Sequence, residues 1–257
     1  MPHVCPTYVA HTEPVFWSDA FVGAAGSPPD PTKWNIVTGL RSYRLEQYRA
    51  ENVALDGAGH LAITTLHEDY GSGGDLRHYT SGWVDTHLLF SATYGSIEAR
   101  IQIPAGNGIW PAFWMMPPVN NHDGLEYAEL DIMEILGHQT TKVIGTIHSP
   151  TVSGNPLTWQ STHNHYNGAV DLSDDFHVYG MEWSPDVIES TLDGVVYGTC
   201  LKADLTEDQR WGFDQPFYPI LCTQISDPSV GWPGMTAPDE TTPWPAIMLV
   251  DWVRVSS

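Results

Sequence analysis

Tyr127-Ala128-Glu129-Leu130-Asp131-Ile132-Met133-Glu134-Ile135 sets three acids among strand-forming apolar residues. Side chains alternate faces along a strand, so Glu129 and Asp131 share one. Glu134 follows Glu129 by five residues, which in a regular strand turns it to the opposite, core-facing side. A lone carboxylate is costly there. One extra residue near Ile132-Met133, a β-bulge, returns Glu134 to the face of Glu129. All three acids then line one face, while Leu130 and Ile135 fill the core.

With that bulge the two Glu backbones stand about four strand steps apart, roughly 13 Å. Two long side chains leaning inward close the gap to about 5–5.5 Å, the spacing at which one carboxylate attacks a sugar and the other protonates the leaving oxygen. Asp131, shorter and between them, is placed to hydrogen-bond the nucleophile. Its negative field would raise the pKa of the acid. As a bare pattern three acids also suit an exposed face or a calcium site, but EF-hand spacing is absent and no Gly stands at the turning position.

Outward from this segment the chain is a series of short strand-like runs punctuated by Gly, Pro, Asn and Asp, with no long amphipathic helix. Runs at 51–54, 60–66, 82–89, 95–103, 109–116, 127–135, 142–148, 177–183, 187–192, 217–223 and 247–255 predict an all-β sandwich or barrel. Asp193-Gly194 reads as a hairpin turn between 187–192 and 195–199. Two stretches, 149–175 and 226–245, read as long polar loops, the second with five prolines. His163 and His165 fall in the first. They share a face if extended, which permits metal binding, but no third ligand accompanies them. No repeat or linker divides residues 1–257, which are expected to form a single catalytic domain.

The chain has 31 acidic and 10 basic residues, a formal net charge of −21. That field repels phosphate backbones and anionic lipid, so nucleic acid and membrane are poor partners, while a neutral substrate is indifferent to it. Eleven Trp, eleven Tyr and seven Phe supply flat faces that suit sugar rings as well as core filler. Cys5, Cys200 and Cys222 are an odd number, so at least one lacks an intrachain partner, and Cys222 reads as a buried thiol. No run reaches membrane-spanning length and Met1 begins no signal peptide. The expectation is a secreted protein numbered from after signal removal.

The sequence resembles glycoside hydrolase family 16, and within it the laminarinase-like β-1,3-glucanases. Glu129-Leu130-Asp131-Ile132-Met133-Glu134 matches the bulged family signature Glu-x-Asp-x-x-Glu at every acid. Gly108-Ile109-Trp110-Pro111-Ala112-Phe113-Trp114-Met115, Tyr94-Gly95-Ser96-Ile97-Glu98-Ala99-Arg100, Gly145-Thr146-Ile147-His148 and Met248-Leu249-Val250-Asp251-Trp252-Val253-Arg254-Val255 also match, in order. The resemblance implies a β-jelly roll of two curved antiparallel sheets with an open concave cleft, and attack within a β-glucan chain. It makes Glu129 the nucleophile, Glu134 the acid/base and Asp131 their helper.

It also implies roles for residues outside the signature. Trp110 and Trp114 line the cleft floor, and His148 stands on the leaving-group side. Asn52 and Trp232 contact upstream sugars, Asn52 being equally readable as a turn or capping residue, and Arg100 is a cleft residue or half of a structural ion pair. No cofactor serves catalysis. Asp251, with backbone carbonyls near Glu13 and Gly59, matches a structural calcium site on the convex side. Where laminarinases usually carry Asn and a Gly-Gly step, this chain has 221–228, and Gln224 takes over a sugar hydrogen bond. A monomer acting on polysaccharide is expected. Mixed-linkage β-glucan, a galactan, transglycosylation and a non-catalytic glucan lectin stay open as alternatives.

Overall fold

The computed structural model describes residues 14–40, 44–119, 128–150, 159–230 and 234–257, without the side chains of 159–162 and 230. In chain order the described strands are β1 Val15–Asp19, β2 Asn35–Ile36, β3 Gly39–Leu40, β4 Glu46–Tyr48, β5 Val53–Leu55 and β6 Leu61–Tyr70. Then come β7 Arg77–Ser81, β8 Trp83–Asp85, β9 Gly95–Gln102, β10 Ile109–Met116, β11 Glu129–Glu134 and β12 Lys142–Pro150. The last are β13 Trp159–Asn167, β14 His177–Trp183, β15 Val187–Leu192, β16 Val195–Leu201, β17 Tyr218–Ile225 and β18 Ala246–Ser256. Among the described residues the only helices are short 3-10 turns, and none is long and apolar enough to cross a membrane.

These strands form the two sheets of a jelly-roll sandwich. The seven-stranded sheet runs β13-β12-β11-β10-β17-β8-β2, and the eleven-stranded sheet carries the path β16-β15-β14-β9-β18-β6-β7-β4-β3, with β1 and β5 on its side branches. The pairing is antiparallel except between β4 and β7, which run parallel, so the expectation of wholly antiparallel sheets fails at that one pair. The turn after β15 has Asp193 at φ 50° and Gly194 at φ 76°. Positive φ at both central residues is what a two-residue hairpin needs to match strand twist.

Alternation along the strands places the core. Ile97, Ala99 and Ile101 of β9 face Leu130 and Ile132 of β11 and Val143 and Ile147 of β12, all within one buried cluster with Tyr179, Met181, Met248 and Val250. Fully burying each large aliphatic chain contributes about 1.5–3 kcal/mol. A second, smaller cluster of Tyr48, Trp83, Ala112, Ile220 and Cys222 lies on the other face of the seven-stranded sheet, with Trp114 and Met116 packed against it. Cys222 is a free, fully buried thiol, which burial pushes up to about 12.

The stretch 149–175 is not the loop expected. Its residues 159–167 form β13, which pairs with β12 over the full run from Lys142↔Asn167 to Pro150↔Trp159. Its polar residues and the Asn and Gly around them read as turn chemistry, whereas an edge strand with one solvated face tolerates that composition. The stretch 226–245 is irregular among its described residues apart from one 3-10 turn, as expected.

Candidate active site

The bulge is present, and Ile132 is its extra residue. β10 pairs with β11 through Phe113↔Met133 and then Trp114↔Asp131, so Ile132 has no partner. On the other side β11 meets β12 through Asp131↔Thr146 and then Glu134↔Ile144, three residues against two. Ile132 and Met133 are both fully buried in the main core. Glu129, Asp131 and Glu134 stand together on the open face of the seven-stranded sheet, beside Ala112 and Trp114 of β10 and Thr146 and His148 of β12.

Asp131 is the most enclosed of the three acids, 3% exposed, while Glu129 and Glu134 are half-buried. Burial pushes Asp131 up to about 8 against the opposing effect of its hydrogen bond with Glu129. That bond favours the charged form of Asp131, and burial outweighs it. The charge of Asp131 in turn raises Glu134, the effect expected of its negative field.

Glu134 is raised well above the ordinary carboxyl range, first by burial and then by the charge of Asp131, while His148 and the Thr146 hydroxyl pull it down. Thr146 Oγ1 donates to Glu134 Oε2 at 3.3 Å. Burial thus holds Glu134 toward its protonated form, while Glu129 shares a hydrogen bond with Asp131. A carboxyl held that way beside a second acid suits a general acid.

His148 lies opposite Glu129, its Nε2 3.0 Å from Asp131 Oδ2 and 3.7 Å from Glu129 Oε1. The structure sets it at the Glu129 end of β11, against both Glu129 and Asp131. Ligand atoms of Glu129, Asp131 and His148 lie within 4.8 Å of one another, close enough to hold a cation in principle. The mutual hydrogen bond of the two acids explains that closeness without one.

Trp110 and Trp114 share the open face, as expected from their spacing. Trp110 lies opposite Gln224 and Trp114 opposite Asp131. Trp83 braces Trp114 edge-on, with centroids 5.2 Å apart, and the Arg44 guanidinium sits 5.0 Å over the Trp110 ring. Gln224 is buried beneath this floor with Oε1 lacking a protein hydrogen bond. An unsatisfied buried acceptor costs about 1–3 kcal/mol, which a sugar hydroxyl or water would recover.

Three expected site residues are placed elsewhere or otherwise engaged. Asn52 is 2% exposed, and its amide donates to Thr64 O at 2.8 Å and Thr80 Oγ1 at 3.0 Å, so it ties β6 to β7, while its buried Oδ1 lacks a protein hydrogen bond. Arg100 lies on β9, where its neighbours Ala99 and Ile101 face the core, so it points out of the sandwich on the side away from the carboxylates. There it pairs with Asp251 at 2.6 Å and lies 4.7 Å over Phe176. That pairing also undercuts the calcium reading. Calcium takes six to eight oxygens, carboxylates foremost, and the Asp251 carboxylate is already neutralised by a guanidinium. Gly59 contributes a turn at φ 100°, and Glu13 and Trp232 lie outside the described residues, as does Cys5.

The sequence offers no reading of Thr146, Trp83 and Arg44 as site residues, and of His163 only one as half of a metal pair. For Thr146 a signal existed: it stands two before His148, so the two share a face. His163 was masked by the reading of its segment as loop.

The Glycosyl hydrolases family 16 model matches residues 47–254. A β-glucanase of Rhodothermus marinus is 33% identical over 260 residues, covering 93% of this chain and 83% of that protein. The clotting factor G alpha subunit of Tachypleus tridentatus is 32% identical over 93% of this chain, which spans only 33% of that longer protein. Among solved structures, the catalytic domain of an endo-1,3-β-glucanase (laminarinase) from Thermotoga petrophila RKU-1 superposes with a TM-score of 0.83 at 34% identity, covering 96% of this chain and 99% of that one. With the bulged Glu-x-Asp-x-x-Glu strand set in a jelly roll, these matches place the chain in glycosyl hydrolase family 16.

Proposed function

We propose that this chain is an endo-acting β-1,3-glucanase that hydrolyses laminarin-type glucans with retention of configuration. The observation that carries the reading is the bulge at Ile132, which brings a protonated Glu134 and a hydrogen-bonded Glu129 to one face of β11. The Trp110 and Trp114 rings beside them suit the flat faces of glucose units, and relatives named as β-glucanase and laminarinase supply the linkage.

Glu129 attacks the anomeric carbon. The glycosidic C–O bond breaks as the leaving oxygen takes the proton of Glu134, and a glycosyl ester forms on Glu129. Water then attacks the same carbon, gives its proton to Glu134 and releases Glu129. Asp131 holds Glu129 in place through the hydrogen bond between them. Glycosidases of this family need no cofactor for these steps. A polymeric substrate supports a secreted enzyme, and a monomer suffices because all the named groups come from one chain.

The test is digestion of laminarin, lichenan, agarose and carrageenan with analysis of reducing ends and product sizes. Internal cuts in laminarin, with the β-anomer formed first, support the reading. Turnover of a galactan alone replaces the substrate, and binding of laminarin without cleavage makes the protein a glucan lectin.

A further inference from the structure

Glu134, Thr146 and His163 stand side by side across three neighbouring strands. Asp131 lies opposite Thr146 and Glu134 opposite Ile144, while Thr146 lies opposite His163 and Ile144 opposite His165. Paired residues share a face of the sheet. Thr146 Oγ1 is 3.3 Å from Glu134 Oε2 and 3.2 Å from His163 Nδ1. Thr146 is buried, so water does not compete for its hydroxyl, whereas His163 is exposed and exchanges protons with solvent.

A hydroxyl has one hydrogen and two lone pairs. The Thr146 hydrogen can point at Glu134 Oε2 or at His163 Nδ1, never at both. With a hydrogen on Nδ1, His163 donates to Thr146 Oγ1, and the threonine hydrogen is directed to Oε2. The carboxyl proton of Glu134 is then confined to Oε1, the oxygen turned away from Thr146. With Nδ1 bare, the threonine hydrogen turns to the ring, and Oε2 meets only lone pairs. The carboxyl proton then settles on Oε2, where it bonds Thr146 and is lost to the leaving group.

We propose that His163, acting through Thr146, is a positioning residue for the acid/base: the hydrogen on its Nδ1 fixes which oxygen of Glu134 carries the transferable proton. This rests on Glu134 having the acid/base role given above. In the first step the proton leaves Oε1 for the departing sugar oxygen, and Oε2 keeps its bond from Thr146. In the second step the proton of the attacking water returns to Oε1. The hydrogens of Thr146 and His163 end where they began, so no further reactant is consumed.

Other charged groups face this relay. Asp131, Glu129 and His148 act on Glu134 directly, and the Tyr197 phenol on β16 feels its charge. Burial, then His148 and His165, hold His163 below the usual histidine range, and Lys142 acts on His165 in turn. His163 is therefore neutral at neutral pH, and its tautomer does the orienting.

The test is a double-mutant cycle. His163→Ala, His163→Asn and Thr146→Val are made singly, and each His163 variant is combined with Thr146→Val. Each is assayed for kcat, KM and pH profile, and Glu134 is titrated by carboxyl carbon NMR, which needs no substrate. His163→Ala is expected to lower kcat about tenfold with KM within about twofold. It should also raise the Glu134 midpoint, since a weakened bond to Oε2 disfavours the carboxylate. The Asn side chain restores an N–H donor, so kcat should return to within about twofold of wild type. On the Thr146→Val background His163→Ala should change nothing further. Wild-type kcat and midpoint in His163→Ala, a full effect surviving on Thr146→Val, or a change confined to KM would each overturn the proposal. His163→Val, a strand former without the donor, stands in if the Ala variant melts early. Failure of the wild type on every glucan would refute the functional reading alone, and the NMR midpoints would still decide the relay.

Discussion

His148 Nε2 lies 3.0 Å from Asp131 Oδ2 and 3.7 Å from Glu129 Oε1, so one imidazole braces both the nucleophile and the acid that hydrogen-bonds it. Removing the nucleophile itself is the first test. Glu129→Ala and Glu134→Ala should each lose at least about a thousandfold in kcat on laminarin. Azide should restore turnover in Glu129→Ala by filling the space of the lost carboxylate, giving the inverted glycosyl azide. Glu134→Ala should give the retained azide instead. Wild-type-like turnover in either variant, or the opposite pairing of anomers, would exchange or abolish the assigned roles.

Asp131 should destabilise the fold as pH rises. Its folded pKa of about 8 lies above the ordinary aspartate value of 3.8, so the folded state binds the proton more tightly. The associated stability is fully present below about pH 4 and is lost as pH climbs through 8. Glu134, raised in the same direction, adds to the slope. Asp131→Asn is neutral throughout, so its Tm should draw level with or exceed that of wild type above neutrality. Melting curves at pH 4, 6, 8 and 9 decide this, and a constant gap across the series would refute it.

Ile132 can be tested by removal. Its deletion restores a regular strand and turns Glu134 into the core. Burying an uncompensated carboxyl there should cost upward of about 3 kcal/mol and abolish activity. Ile132→Val keeps the bulge and should cost only about 0.5–1.5 kcal/mol with activity intact. Denaturant melts and laminarin assays report both, and an active deletion variant would show that the bulge is dispensable.

Arg100→Ala separates the cleft reading from the ion pair. The pair is partly exposed, and such bridges are worth about 0–1 kcal/mol. The stability loss should accordingly be small, with kcat and KM unchanged. Chelation with EDTA should leave the wild-type Tm where it was, because Asp251 already has its counter-charge. A marked fall in Tm on chelation, reversed by calcium, would reinstate a metal.

Trp114→Ala removes a ring that Trp83 braces edge-on and that faces Asp131. It should reduce kcat/KM on laminarin by about tenfold or more while the protein still folds, since one face of the ring is open. Trp114→Phe should recover much of the loss, and an Ala variant indistinguishable from wild type would remove Trp114 from the binding floor.

Much of this was legible because it depends on parity. Counting from Glu129 to Glu134 sufficed to require a bulge, and Ile132 proved to be the inserted residue. The strands Ile109–Met116, His177–Trp183 and Val187–Leu192 match their expected bounds because both of their edges are marked by turn residues or abrupt polarity. β13 was illegible since an edge strand with a solvated face has the composition of a loop. The raised pKa of Asp131 was hidden for another reason: spacing says which acids are neighbours, but enclosure by β10 and β12 decides how readily each ionises. Asn52 and Arg100 carry the expected letters, yet a side chain's partner is a three-dimensional fact. Thr80 and Asp251 had claimed them.

The inserted Ile132 has one more implication. Two successive residues of β11, Ile132 and Met133, point into the sandwich, so the irregularity that the chemistry demands is anchored from behind by the main core. The carboxylates are thus aimed by residues that no substrate touches. Change in the rings and loops around the groove can alter which polymer is admitted without disturbing the aim, so in this scaffold reaction and preference are separately adjustable.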